Sequence, residues 1–318
     1  MAEAPLVFPT AEAQRLEPHL PPSPEGPPES YEDASSYFAL PFVTLTFATS
    51  LDSALSLGPG IRTALSGPQS KAMTHYLRSR HDAICVGVGT AIADDPGLNC
   101  RIAAETQHQE SSSSAGVGAL LGLASVSTGE AAIRETNNAI TTSQPRPIVI
   151  DPSLRWDFTS ESKVMQLARA GKGLAPYIVT AVSQPPESKV LLLEDLGGKF
   201  IILDQPKANG FSPAASSQRF DWRSILAEIR KEGLQSIMIE GGGAVINSLL
   251  SEENVQLVDS VIVTIAPTWL GQGSVFVSPP RQPSQDGNKP NAVARLTNTT
   301  WIPLGEDVVL CGKFATRQ

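Results

Sequence analysis

The sequence predicts an α/β fold built on one mixed sheet flanked by helices, and three observations carry the prediction. Short apolar segments rich in β-branched residues alternate with segments of helical spacing through the centre of the chain, from about residue 83 to 250. Several of these strands end in a polar residue at a turn, at Thr90, Asp151 and Glu240, and in such sheets ligands gather beyond the carboxyl ends of the strands. With 318 residues and 41% hydrophobic content, the chain can bury a sizeable core.

Residues 1–38 hold eight prolines among acids and small residues. Seven acids (Glu3, Glu12, Glu17, Glu25, Glu29, Glu32, Asp33) against Arg15 give this segment −6 of the total net charge of −8, which leaves −2 for the rest. Its composition predicts a disordered or loosely draped arm, because little apolar surface is present to offset the entropy of ordering; deleting it is expected to leave activity intact. The folded domain then runs from 39 to 318, opening on the alternating strand Phe42-Val-Thr-Leu-Thr-Phe-Ala48. Ser66 or Gly67 caps a helix with Pro68 in its first turn and an apolar stripe of Ala72, Met73, Tyr76 and Leu77. The strand 83–88 follows, and Asp94-Asp95-Pro96-Gly97 marks a turn.

Between about 103 and 144 the composition turns to Ser, Thr, Gln, Gly and Ala, which reads as an insertion with a short helix near 129–139. Strands are expected at 147–151, 176–181 and 199–203 and a helix at 161–170, with Val190 to Leu193 open between the two states and 204–219 a loop. Asp221 caps the clearest helix, whose face is Trp222, Ile225, Leu226 and Ile229 and whose stop is Gly233. Strands at 258–265, 274–277 and 307–315 close the chain, with antiparallel pairing at this end.

Several function classes are disfavoured. The near balance of charge outside the arm argues against a nucleic-acid surface. No run of eighteen apolar residues is present and the N-terminus lacks the order of a secretory signal, so a soluble cytoplasmic protein is expected. Cys85, Cys100 and Cys311 form no CxxC pair, and the four histidines have no metal-site spacing. The stretch Ser236-Ile-Met-Ile-Glu-Gly-Gly-Gly-Ala-Val-Ile-Asn-Ser-Leu-Leu250 is the most informative: a buried strand ends in a carboxylate, passes three glycines and opens a helix. Glycines let backbone N–H groups approach an anion, and a helix start presents free donors to it. A tight strand-to-helix connection without a ligand is the other reading of that turn alone.

Four patterns occur together and in order: Ala48-Thr-Ser-Leu-Asp52; Leu77-Arg78 with Asp82-Ala83; Gly87-Val-Gly-Thr-Ala-Ile-Ala-Asp-Asp-Pro-Gly-Leu-Asn-Cys-Arg101; and Ile239-Glu-Gly-Gly-Gly243. Together they resemble the riboflavin-biosynthesis reductase family. Leu57-Gly-Pro-Gly-Ile-Arg-Thr and Thr74-His-Tyr-Leu-Arg78 look like its fungal branch. The resemblance covers 41 to about 103 and 145 to 315. It implies a dihydrofolate-reductase-like fold, a homodimer, and NADPH-dependent reduction of 2,5-diamino-6-ribosylamino-4(3H)-pyrimidinone 5′-phosphate to the ribitylamino compound by hydride transfer to C1′. The PCxxC run of the deaminase fused to bacterial relatives is lacking, so the chain is expected to reduce and not deaminate.

The resemblance places the cofactor against Ala48, Thr90, Asp94, Pro152, Gly241, Gly242, Gly243, Ala244, Val245, Ile246 and Asn247, with Ala64 matching a contact by position only. It places the substrate against Arg78, Leu98, Arg101 and Glu240, and Asp52 near the reacting end of the nicotinamide. Asp52 and Glu240 are the catalytic candidates; as bland alternatives Asp52 is a turn residue and Glu240 a helix cap. Arg78 and Arg101 suit a phosphate, which guanidinium binds bidentately. Thr46 and Ser53 stand where bacterial members commonly carry Lys and Gly, and Arg62 stands at a substrate-contact position. A pterin or dihydrofolate reductase on the same fold is the alternative activity, and a non-catalytic cofactor-binding regulator is the second.

Overall fold

The structure, a computed structural model, describes residues 6–22, 40–102, 144–203, 221–281 and 292–315. In chain order its elements are α1 (Thr10–Leu16), β1 (Phe42–Thr49), β2 (Ala54–Ser56), α2 (Pro68–Ser79), β3 (Ala83–Gly87), α3 (Val88–Asp94), β4 (Arg146–Ile150), α4 (Lys163–Arg169), β5 (Tyr177–Thr180), α5 (Glu187–Glu194), β6 (Lys199–Ile202), α6 (Trp222–Lys231), β7 (Ser236–Glu240), α7 (Gly243–Leu249), β8 (Ser260–Ile265), β9 (Val275–Phe276), β10 (Leu296–Leu304) and β11 (Asp307–Phe314).

Nine strands form one sheet in the order β10-β11-β8-β1-β7-β3-β4-β5-β6. From β8 to β6 every pairing is parallel, and β11 and β10 add antiparallel strands at one edge. Central strands carry apolar residues on both sides, as in Ile237, Met238 and Ile239 of β7, because helices cover both faces. Alternate residues feed two sides: Val43, Leu45, Cys85, Ile237 and Ile239 pack with α6 and α7, whereas Met238 packs with α1 and α2, and Ile84 and Val86 with α3, α4 and α5. The register sets Thr46 opposite Glu240 and Gly87 opposite Ile150, so β1, β7, β3 and β4 end side by side.

Most expected elements are present within one or two residues. Asp221 caps α6 by accepting from Ser224 N–H at 2.9 Å, and Gly233 takes φ 81° beyond its end. The open segment 190–193 is helical within α5, where Leu193 is fully buried. α3 is a helix where only a strand end was expected, since Gly89 weakens its helical signal and Asp95 closes it in a left-handed conformation at φ 40°. β9 is not in the main sheet but pairs with β2, itself unexpected, as a separate ribbon. β10 was also unexpected: Asn298 at φ 51°, a register shift between Thr297 and Thr300, and Pro303 interrupt its pattern, as an edge strand tolerates.

The expectation of a disordered or draped arm over 1–38 is corrected for residues 6–22. Phe8, Ala13, Leu16 and Leu20 are buried with Ala72, Met73 and Leu77 of α2 and with Ile302, Leu304 and Val309. Phe8 stacks on Tyr76 with centroids 5.2 Å apart, and Glu17 binds both Arg80 and the Tyr76 hydroxyl. The average composition concealed four apolar residues placed to cover one face of a helix. Residues 1–5 and 23–38 of the arm, 103–143 of the insertion with its expected helix, and the loop 204–219 lie outside the described residues.

Candidate active site

Glu240 is the last residue of β7, and Arg78 stands at the end of α2. The carboxylate accepts from Arg78 Nη2 at 2.9 Å and Nε at 3.3 Å, while Nη1 donates to the carbonyl of Asn99 at 3.1 Å. Both side chains are mostly buried, 14% and 22% exposed, so little solvent screens the pair. A carboxylate gripped in this fork is an acceptor for further donors. The resemblance gave both residues to the substrate; the geometry makes Arg78 the partner that orients Glu240.

Beside them, α7 starts at the glycine turn and α3 at the end of β3. The two helix starts converge: a Cβ on Gly87 would lie 2.8 Å from Val245, and one on Gly241 2.9 Å from the same side chain. Gly242 is exposed and a Cβ there would sit 3.4 Å from Thr90 Oγ1. Thr90 and the glycine turn therefore face each other, and the first N–H groups of α7, on Gly243 and Ala244, have no intrahelical acceptor by position. Asp94, at the end of α3, has a buried Oδ1 without a hydrogen-bond partner; burial raises its pKa, opposed by the charge of Arg62. Glycines that leave room, unspent backbone donors and an unmatched buried acceptor fit a phosphate-bearing ligand with hydroxyl groups.

Other candidates have different positions. Ile246 is fully buried in the core and Leu98 is 2% exposed, so their side chains serve packing; Leu98 also holds φ 50°. Val245 fills the space beside Gly87 and Gly241, and Ala244 is exposed. Asn247 clamps β9, donating to Phe276 O at 3.0 Å and accepting from Ser278 N–H at 2.7 Å. Pro152 accepts from Ala181 N–H at 3.0 Å beyond β4, and Asp151 is buried and caps the backbone of Arg155 and Trp156. Ala48 is part-buried near the end of β1, and Arg62 and Ala64 are exposed. Ser53 has φ 61°, a conformation glycine adopts without strain, which suits the Gly that the resemblance gives bacterial members there.

Asp52 is a clasp. It accepts from the Ser50 hydroxyl, from Gly271 N–H at 2.8 Å and from Leu270 N–H at 3.1 Å, joining the end of β1 to the segment after β8. These donors, Ser50 first, hold its pKa at about 2. An acid so held is a poor proton donor near neutral pH.

The pattern also missed His75. It lies one helical turn from Arg78 and is 4% exposed. Arg101 N–H donates to its Nδ1 at 3.1 Å, and the Arg101 guanidinium lies 3.1 Å from its Nε2. Burial, with Arg78 and Lys71 adding, lowers its pKa to about 3. Burial likewise lowers that of His81, wedged between Leu77 O and Thr44 Oγ1, to about 4. Both values lie below the unfolded value of 6.5, so the unfolded chain binds more protons in the window from there down to about pH 4. Stability should fall as pH decreases through that window, by up to about 1.4 kcal/mol per unit for each histidine. Denaturant midpoints at about pH 7.5 and about pH 5 check this; a flat profile would contradict two buried neutral rings.

An open hollow of about 400 Å³ lies elsewhere, over Phe47, Val261, Val263, Leu296 and Phe314. Its mainly apolar walls do not suit a phosphate, and the polar cluster above is the better candidate. The family model of the RibD C-terminal domain matches residues 41–310. The chain belongs to the RibD C-terminal domain family. Its relatives include the 2,5-diamino-6-ribosylamino-4(3H)-pyrimidinone 5′-phosphate reductases of Debaryomyces hansenii, 35% identical over 275 residues (86% of this chain, 90% of that protein), and of Saccharomyces cerevisiae, 33% identical over 279 residues (87% and 88%). Among solved structures, the Saccharomyces riboflavin biosynthesis reductase Rib7 superposes with a TM-score of 0.61 at 28% identity, covering 96% of this chain and 99% of that one. Membership of the RibD C-terminal domain family makes the chain an oxidoreductase of the reductase type, on the dihydrofolate-reductase-like mixed sheet that the resemblance implied. No helix among the described residues is long and apolar enough to cross a membrane.

Proposed function

We propose that the protein reduces 2,5-diamino-6-ribosylamino-4(3H)-pyrimidinone 5′-phosphate to its ribitylamino counterpart with NADPH, by hydride transfer to C1′ of the ribose. The observation that carries this reading is the junction of the Glu240–Arg78 pair with a glycine turn that faces Thr90. The fungal relatives, which are named as reductases of this same phosphate, support the reading. When bound, the nicotinamide supplies the hydride.

The chain's own groups hold and orient. Gly243 and Ala244 N–H at the start of α7 hold a pyrophosphate, helped by the Thr90 hydroxyl, and Asp94 Oδ1 accepts from a ribose hydroxyl. Glu240 accepts from the substrate's hydroxyl or amino groups, fixed in direction by Arg78. Arg101, which the resemblance gives to the substrate and whose guanidinium lies 3.1 Å from His75 Nε2, takes the substrate phosphate. Opening of the ribosylamine ring leaves an imine and a hydroxyl; hydride adds at C1′ and a proton joins the adjacent nitrogen. Asp52 is tied to three donors and Glu240 to Arg78, so solvent delivers that proton and Asp52 shapes the wall of the site. The resemblance adds a homodimer, which sedimentation equilibrium checks.

The test is oxidation of NADPH by purified protein, with the ribosylamino phosphate and with dihydrofolate as separate substrates. Turnover with the first alone is expected; turnover with dihydrofolate alone would make the protein a pterin reductase, and none with either would end the enzymatic reading.

A further inference from the structure

Residues 99–101 form no regular element, yet the carbonyl of Asn99 and both main-chain groups of Cys100 and of Arg101 are satisfied one by one. Asn99 O accepts from Arg78 Nη1 at 3.1 Å. Cys100 N–H donates to Gln144 Oε1 at 2.9 Å and Cys100 O accepts from Gln144 Nε2 at 3.0 Å. The Cys100 thiol points to His75 O at 3.2 Å. Arg101 N–H donates to His75 Nδ1 at 3.1 Å, and Arg101 O accepts from Leu6 N–H at 3.0 Å. Leu6 also bridges Ile102 in parallel, as a one-residue strand. An irregular segment with its backbone tied from both sides is rigid, which a chain outside a helix or strand does not achieve alone.

Both backbone bonds of Arg101 thus come from elements outside the glycine turn. One is the ring of a buried histidine on α2; the other is the start of the N-terminal segment, itself anchored by Phe8, Leu16 and Leu20. A neutral imidazole has one acceptor nitrogen, and both ring nitrogens of His75 face Arg101, Nδ1 its main-chain N–H and Nε2 its guanidinium at 3.1 Å, so the ring holds both the backbone and the head group of Arg101. Bidentate phosphate binding requires the guanidinium plane to be set in advance, because each degree of freedom left loose is lost on binding. We propose that His75 and Leu6 are positioning residues that clamp the Arg101 backbone for recognition of the substrate's phosphate, which makes residues 6–22 part of the catalytic unit. The inference rests on the reading of Arg101 as the phosphate ligand.

Full-length variants test it through the ratio of kcat/KM for the phosphorylated substrate to that for its dephosphorylated riboside. Arg101→Ala should lower this ratio about tenfold or more. His75→Leu, which removes the acceptor, and Leu6→Pro, which removes the donor, should each lower it about three- to tenfold through KM, with the KM for NADPH unchanged. His75→Asn places an amide oxygen where Nδ1 lies and Leu6→Ala keeps the N–H, so both should retain the ratio. If His75→Leu does not fold, the contrast between Leu6→Pro and Leu6→Ala decides. A ratio lowered by Arg101→Ala but unchanged in Leu6→Pro and in any folded His75→Leu would overturn the clamp and leave the phosphate reading standing. A ratio unchanged in Arg101→Ala would overturn the phosphate reading and the clamp with it.

Discussion

Glu240→Gln should reduce turnover about a hundredfold or more while the fold is retained, because the substrate loses the carboxylate that orients it. The amide has the same shape but no charge, and its NH2 group meets the donors of Arg78 instead of accepting from them. The fork that Nε and Nη2 make on the carboxylate is reduced to one arm, because only the amide oxygen still accepts, and the bond from Nη1 to Asn99 O remains. Because both partners are mostly buried and Arg78 keeps its charge, the stability cost should be about 1.5–3 kcal/mol, short of that for a fully buried pair. Steady-state kinetics with a denaturation midpoint separate the two effects. Wild-type kcat and KM in a folded variant would remove Glu240 from the site.

The N-terminal segment should matter to stability as much as a helix of the core does. Leu16 is 1% exposed among Met73, Leu77 and Ile302, and Leu16→Ala should cost about 2–5 kcal/mol by the usual transfer and cavity terms. Deleting residues 1–22 should cost more, since it uncovers Ala72, Met73 and Leu77 and removes the Glu17 contacts to Tyr76 and Arg80. Urea denaturation reads both variants. A truncated chain with the wild-type midpoint would return the segment to the status its composition suggests.

That segment shows where sequence reasoning works and where it stops. Local signals were legible: Asp221 and Gly233 bracket α6, Pro68 opens α2, and Ile239-Glu-Gly-Gly-Gly243 reads directly as strand, turn and helix start. The facing of Gly242 and Thr90 followed from two strands ending on the same edge. What pairing over distance decides was hidden. Asp52 looks like a turn residue or a catalytic acid until Leu270 and Gly271 arrive from more than two hundred positions away. His75 gains its role from Arg101, which lies 26 positions ahead. Leu98 sits inside a matched motif and Ile246 three residues past another, and burial turns both side chains to packing. In residues 1–38, prolines and acids outnumber the four apolar anchors, so an average over the segment cannot register them.

The central claim is that the glycine turn and Thr90 hold a nicotinamide cofactor next to the Glu240–Arg78 pair, and a crystal structure of the protein with NADPH measures it most directly. The account predicts pyrophosphate oxygens on the N–H groups of Gly243 and Ala244, Thr90 within hydrogen-bond distance of the cofactor, and the nicotinamide ring on the side of Glu240. Cofactor bound in the apolar hollow over Phe47 and Phe314, with the glycine turn untouched, would contradict it.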